Sequence, residues 1–312
     1  MTEAPPVVTP APKKRQAPRT AILVVNGFSR YGPAAEFNKQ EAREFPWIKL
    51  CLDQIAKHTH PGGYRVFVWD NAFLPEHTEI MNAAKRVTVH NRRLRRVMRH
   101  GPALNQLLKR VPKETEYVVT LDTDSFPVRD GWLPNLIGRL DEGAMLAGAW
   151  RDEMGEVIEP YVHPSCFAAR RDTLEELGAR FTIDEGKDVA HNITLAVRAR
   201  GGKISRLRRS NVRNGHFLIG GLYGDLVYHQ GAGSRNARFY TSTDLMGDEA
   251  TRIVFRDAVF HDLPATIDYL AGDTTPEDAT AAGLGPLVDL VEHGKLSEPP
   301  GSVADTRAEP SP

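Results

Sequence analysis

The sequence predicts an α/β fold, a mostly parallel sheet with helices on both faces, in a single domain with flexible ends. Three observations carry that prediction. Short apolar runs alternate with stretches whose apolar residues recur at helical spacing. Two of those runs, "YRVFVWD" and "YVVTLD", end on an aspartate, the usual place for polar groups in open α/β sheets. Glycine pairs, Gly62-Gly63 and Gly201-Gly202, punctuate the alternation where the chain must turn.

Taken in order, the ordered part begins at "TAILVVNGF", where Ile22, Leu23, Val24 and Val25 form a buried-strand run. "PWIKLCLDQIAKH" is a helix, with Pro46 at its start and Trp47, Leu50, Cys51 and Ile55 along one face. "GGYRVFVWDNA" is a second strand, "KRVTVHN" a third, "GPALNQLLKRV" a helix and "YVVTLDTD" a fourth strand. "LPNLIGRLDEG" is a helix, "AMLAGAW" a strand, "RRDTLEELGARF" a helix with Gly178 near its end, "DVAHNITLAVRARGG" an amphipathic helix and "KISRL" a strand. A last strand, "DLVYH", lies in a glycine-rich stretch, and "GDEATRIVFRDAVF" is a helix beyond it. These readings divide the chain into a disordered lead (1–18), an α/β domain (19–240), a helical extension (241–295) and a disordered tail (296–312).

Composition narrows the function classes. The chain has 312 residues, zero formal net charge and 41% hydrophobic residues, which excludes a nucleic-acid coat or an acidic tail. Cys51 and Cys166 form no CxxC pair or disulfide framework, which fits a reduced, cytoplasmic protein. No apolar stretch reaches membrane-spanning length, and the amino terminus lacks a signal-peptide core. "NRRLRRVMRHG" (91–101) is basic; its default reading is a solvated helix face, with at most peripheral contact to an anionic membrane.

The informative stretch is "VVTLDTDSFP" (118–127). Asp122 and Asp124 follow a buried-strand run, and Pro127 marks where pairing must end. Two close carboxylates repel each other unless a cation sits between them; a polar turn is the plain alternative. A carboxylate-held metal can neutralise a departing diphosphate. His229, after "DLVY", is a candidate further ligand, and its imidazole would favour Mn²⁺ over Mg²⁺. Asp70 is a candidate acceptor for a nucleotide base, Gly101 offers close backbone approach, and Asn105 lies one turn further on. The alternatives are a turn aspartate and an ordinary helix start.

The ordered set "VWDNA", "HGPALNQ", "VVTLDTDSFPVRDGW", "SCFAARRDTLEELG", "DVAHNITLAVRARGGKI" and "VYHQGAGSR" resembles the GT-A glycosyltransferases, especially the family 2 type, over about residues 20–240. The resemblance implies a Rossmann-like GT-A fold. It implies that Asp122 and Asp124 are the DxD pair for metal and diphosphate, that His229 completes the metal shell, and that Asp70 recognises the base. It further implies that Cys166 and Phe167 line a sugar pocket. The family's acidic pair ahead of the last amphipathic helix is reduced here to Asp188, which becomes the candidate catalytic base. A helix cap is its plain alternative, and Asp184 and Glu185 are its nearest substitutes.

The function so implied is a metal-dependent hexosyltransferase that moves a sugar from a nucleotide-sugar donor to an acceptor hydroxyl with inversion. The acceptor (glycan, lipid-linked or small molecule) is open, and no nucleic-acid partner is expected. Two rivals are a haloacid-dehalogenase-like phosphatase, suggested by "LDTDSF", and a non-catalytic nucleotide-sugar-binding module. Against the phosphatase, that motif normally ends the first strand, and here other strands precede it.

Overall fold

The computed structural model describes residues 18–30, 35–92, 96–153, 158–183, 188–231, 233 and 249–294. A seven-stranded sheet forms its centre. Strand β1 (Thr20–Asn26) lies between β2 (Tyr64–Asp70) and β4 (Tyr117–Asp122), parallel to both. β3 (Val87–His90) continues the parallel run beyond β2. On the other side stand β7 (Tyr161–Arg170), β6 (Leu146–Arg151) and β8 (Ile204–Leu207). β7 alone among the seven runs against the rest. The mostly parallel sheet expected from the sequence is therefore present.

Period-two alternation in β1 explains its unbroken apolar run. Ile22 and Val24 enter one core with Ile48 and Cys51 of α2 (Trp47–His58) and Leu136 of α5 (Trp132–Asp141). Ala21 and Leu23 enter the opposite core with Leu104 of α4 (His100–Leu108), Leu174 of α6 (Arg171–Glu176) and Val197 of α7 (His191–Ala199). A strand covered on both faces has no side that needs polar residues.

Two further helices, α1 (Ala35–Glu44) and α3 (Pro75–Ala83), have no counterpart in the sequence reading. The residues α1 buries are Asn38 and Glu41, so it has no apolar stripe to detect. Glu41 is held by Arg252, at 2.6 Å, and by Arg256. Both arginines belong to α8 (Glu249–His261), which is followed by α9 (Leu263–Ala271), α10 (Pro276–Ala279) and α11 (Gly285–His293). Phe255, Tyr269 and Leu287 from these helices join the same core as Ile22 and Val24.

Three expectations are refined, corrected or left aside. Pairing ends at Pro127, but in a different sheet: β5 (Ser125–Pro127) forms a second, three-stranded sheet with β10 (Val227–His229) and β9 (Gly221–Tyr223). Pro127 is accommodated because β5 is an edge strand of that sheet and needs no donor on its outer side. Among its described residues up to Arg99, the basic stretch is not a helix face either. Residues 96–99 are irregular and α4 starts only at His100, because Asn91 ties the segment down through bonds to the Arg96 backbone and to the Asp70 carbonyl. Arg93–Arg95, the presumed lead up to residue 17 and the tail from 295 onward lie outside the described residues.

The order of strands reverses at β1. The chain steps outward through β2 and β3, then returns to place β4 on the other flank. That reversal opens a crevice beyond the carboxyl ends of β1 and β4, where ligands of open α/β sheets bind. Asn26, Asp70 and Asp122 are the last residues of β1, β2 and β4.

Candidate active site

Asp122 and Asp124 flank the junction between the two sheets. Asp122 is partly exposed, and its Oδ1 lies 3.2 Å from His100 Nε2. Asp124 is buried; its Oδ2 accepts the backbone N–H of Gly233 at 2.8 Å, and its carbonyl accepts from Gln230. A Cβ at position 233 would fall 2.5 Å from the Asp124 Cβ, so only glycine permits this approach. The antiparallel register that sets His229 opposite Ser125 delivers its imidazole to the aspartates. His229 Nε2 lies 3.9 Å from Asp122 Oδ2 and 3.9 Å from Asp124 Oδ1. The three sequence-derived metal candidates therefore converge.

A third carboxylate stands beside them. Asp188 Oδ2 accepts from the Tyr161 hydroxyl at 2.6 Å and faces His163 Nε2 at 3.4 Å, while Oδ1 accepts the Val189 N–H. It does not cap α7: Ala190, at φ 68°, is the residue preceding that helix. Burial alone would raise the Asp188 carboxyl. The bonds from His163, Tyr161 and Val189 outweigh it and hold the group well below the usual carboxylate range. Burial and the Asp188 charge push the Tyr161 phenol up, so it remains a donor. Burial and the Arg151 charge lower His163. His163 thus meets Asp188 as a neutral ring, tilted against His229 with centroids 5.3 Å apart. Asp184 and Glu185, the alternatives to Asp188, lie outside the described residues.

Other predicted residues are placed elsewhere. Gly101 is approached by protein, not ligand: a Cβ there would meet the Phe181 carbonyl oxygen at 2.5 Å. Asn105 pins the same residue, donating to the Phe181 carbonyl and accepting from its N–H. Both serve the packing of the 181 segment on α4. Cys166 and Phe167 are fully buried in mid-strand β7, in opposite cores. From that strand, Tyr161 and His163 are what reach the site. Asp70 is 1% exposed, and its Oδ1 accepts from Asn26 Nδ2 and from the Ala72 and Phe73 backbone N–H groups. It holds the turn after β2, so a base could reach it only if that turn moved. Asn26 also lines a small pocket with Asn38, Glu41, Trp47 and Thr123. Asn38 Oδ1 and Trp47 Nε1 are buried there without a hydrogen-bond partner among the described residues.

No protein-family model matches the chain, and no curated protein matches it. Its architecture is similar to solved structures of low identity. A mannosyltransferase, PcManGT from Pyrobaculum calidifontis in complex with GDP-Man and Mn²⁺, is 18% identical, with 93% of this chain and 85% of that chain covered and a TM-score of 0.48. Glucosyl-3-phosphoglycerate synthase from Mycobacterium tuberculosis, in complex with Mn²⁺, UDP and glucosyl-3-phosphoglycerate, is 19% identical, with 61% and 70% covered and a TM-score of 0.43. S. aureus TarS 1–349 is 14% identical, with 88% and 90% covered and a TM-score of 0.42. Likeness at this level assigns no role to any residue here.

Whether a metal fits is therefore decided by the donors. Asp122, His163 and His229 each offer an atom within 4.8 Å of the others. Hydrogen bonding removes His163 from that set. Its Nδ1 accepts the Ser165 backbone N–H at 3.0 Å, so in the neutral ring Nε2 carries the proton and turns it toward Asp188. Asp122, Asp124 and His229 remain, two carboxylates and one imidazole, a donor set suited to Mn²⁺ and, less well, to Mg²⁺. His100, His163 and Tyr161 were not singled out by the sequence reading. Isolated histidines and a tyrosine in a strand carry no motif, and only the tertiary fold brings them to the aspartates.

Proposed function

We propose that the protein is a glycosyltransferase that moves a hexosyl group from a nucleotide-sugar to an acceptor hydroxyl by single displacement, with inversion. The observation that carries this reading is the convergence of Asp122, Asp124 and His229 at the sheet's reversal point, beside an ionised Asp188. Asp122, Asp124 and His229 would hold the divalent cation, which when bound supplies positive charge for a diphosphate leaving group. His100, against Asp122, orients that carboxylate. Asp188 takes the proton of the acceptor hydroxyl, and His163 and Tyr161 fix the direction of its lone pairs. The nucleoside lies toward β1, near Asn26 and Asp70. A phosphatase is disfavoured because the strand that would carry its nucleophile, β1, ends in Asn26.

The test is a thermal-shift panel of UDP-, GDP-, dTDP- and CMP-sugars with and without Mn²⁺, followed by turnover with candidate acceptors. The matching donor raises the melting temperature only with metal, because a ligand that binds the folded state stabilises it by mass action. Asp124→Asn should abolish that metal-dependent rise. Donor binding without transfer to any acceptor would favour a non-catalytic binding module instead.

A further inference from the structure

His229 carries a contact that conflicts with metal binding. Arg151, the last residue of β6, places Nη2 3.1 Å from His229 Nδ1. A guanidinium can only donate, so Nδ1 must accept, and the ring proton must sit on Nε2. Nε2 is the nitrogen 3.9 Å from both aspartates. In this arrangement it presents a proton toward the carboxylates and has no lone pair for a cation. His163 shares this tautomer, but its partner is a backbone N–H that cannot leave. The partner of His229 is a side chain that can.

The place Arg151 would move to is already built. Glu153, two residues along, has Oε1 engaged by the Tyr223 hydroxyl at 2.8 Å. Its Oε2 already makes a long ion pair with Arg151 Nε at 3.8 Å, and neither buried atom has a hydrogen-bond partner among the described residues. Buried charged groups left unsatisfied are costly. A small swing of Arg151 toward Glu153 would satisfy both and vacate His229 Nδ1.

We propose that Arg151 is a positioning residue that controls whether His229 can ligate metal. Donating to His229 Nδ1, it keeps Nε2 protonated and closed; paired with Glu153, it lets the proton pass through solvent from Nε2 to Nδ1 and opens Nε2. The ring stays neutral throughout, so no net proton is taken up or lost. The proposal rests on the reading of Asp122, Asp124 and His229 as a metal site, and it makes the arginine a selector between an open and a closed form of that site.

Two measurements test it. In the metal-free, ¹⁵N-labelled protein at neutral pH, the His229 ring, assigned by its loss in His229→Gln, should show Nε2 protonated and Nδ1 bare. Mn²⁺ affinity, read from loss of the free-ion EPR signal with the metal alone, should tighten at least about tenfold in Arg151→Leu, since a hydrogen bond from a charged donor no longer opposes binding. Arg151→Lys keeps the charge but lacks the Nη2 that reaches His229. It should tighten binding too and guards against a folding defect in the leucine variant. Tightening in Arg151→Leu with wild-type affinity in Arg151→Lys would mean that charge alone acts, and would overturn the proposal. Protonated Nδ1 in the metal-free protein, with Mn²⁺ binding intact, overturns the switch alone. Absence of Mn²⁺ binding in every form overturns the metal reading and the switch with it.

Discussion

Tyr161 and His163 set the proton affinity of Asp188, the proposed base. A carboxylate that accepts from a phenol at 2.6 Å and faces an imidazole N–H is held ionised, so its proton affinity is low. The acid limb of the pH–rate profile should then fall below the ordinary aspartate value of about 3.9. Tyr161→Phe should move that limb upward, because it removes one donor from the charged form. Asp188→Asn should lower transfer by about 10²–10⁴-fold with donor affinity retained. A profile unchanged in Tyr161→Phe would show that another group takes the proton. At the same scale lies the limit of what the sequence disclosed. Asp122, Asp124 and His229 were legible because a strand-end DxD and a late histidine form a pattern. Gly101 and Asn105 look like ligand residues in sequence, but their partner is Phe181, 76 positions beyond Asn105. Separations of that kind leave no local signal.

Among the elements, those with a strong apolar period were legible and those bound by charge were not. The buried face of α2, Trp47, Ile48, Cys51, Leu52 and Ile55, is visible as spacing. The buried positions of α1 read as solvent-facing, although Glu41 is enclosed with Arg252 and Arg256. Removing one partner from such an enclosed pair is more damaging than replacing the whole set, typically by about 3–5 kcal/mol. Glu41→Ala should therefore lower unfolding free energy by about 3 kcal/mol in urea titrations, leaving Arg252 without its anion while Arg256 keeps Asp257. A loss under about 1 kcal/mol would show that water takes the carboxylate's place. Pro127 lacks a donor, and it is the last paired residue of the short β5 strand. An edge position, which only the second sheet reveals, makes that loss harmless.

For the whole molecule, buried histidines link stability to pH. Burial lowers His77, His90, His163 and His229 below their ordinary value of 6.5. Below about 6.5 the unfolded chain therefore binds protons that the folded chain refuses, and stability falls as pH falls. For His229, 5% exposed and lowered furthest, the loss approaches about 1.4 kcal/mol per pH unit once pH is below 6.5. Urea midpoints should drop between pH 7.5 and pH 5.5, and His229→Gln should flatten the slope. The Asp188 contribution does not overlap this window. Its folded value is depressed, so its share is present above about 3.9 and is lost only in stronger acid.

The clasp between Glu41 and Arg252 joins residues 211 positions apart. A nascent chain leaving the ribosome at about 5–20 residues per second exposes α1 roughly 10–40 s before its counter-charge exists. Until then Glu41 has no cation to meet, and burying it alone would be prohibitive. The sheet and α2 can assemble during that interval through their apolar faces, while α1 waits in water. The crevice wall that Asn38, Glu41 and Trp47 help to build is thus finished only after α8 has been synthesised. Asp124 follows the same timetable, because the backbone N–H groups of Gln230 and Gly233 that hold it are made only shortly before α8, so one side of the crevice settles late in synthesis.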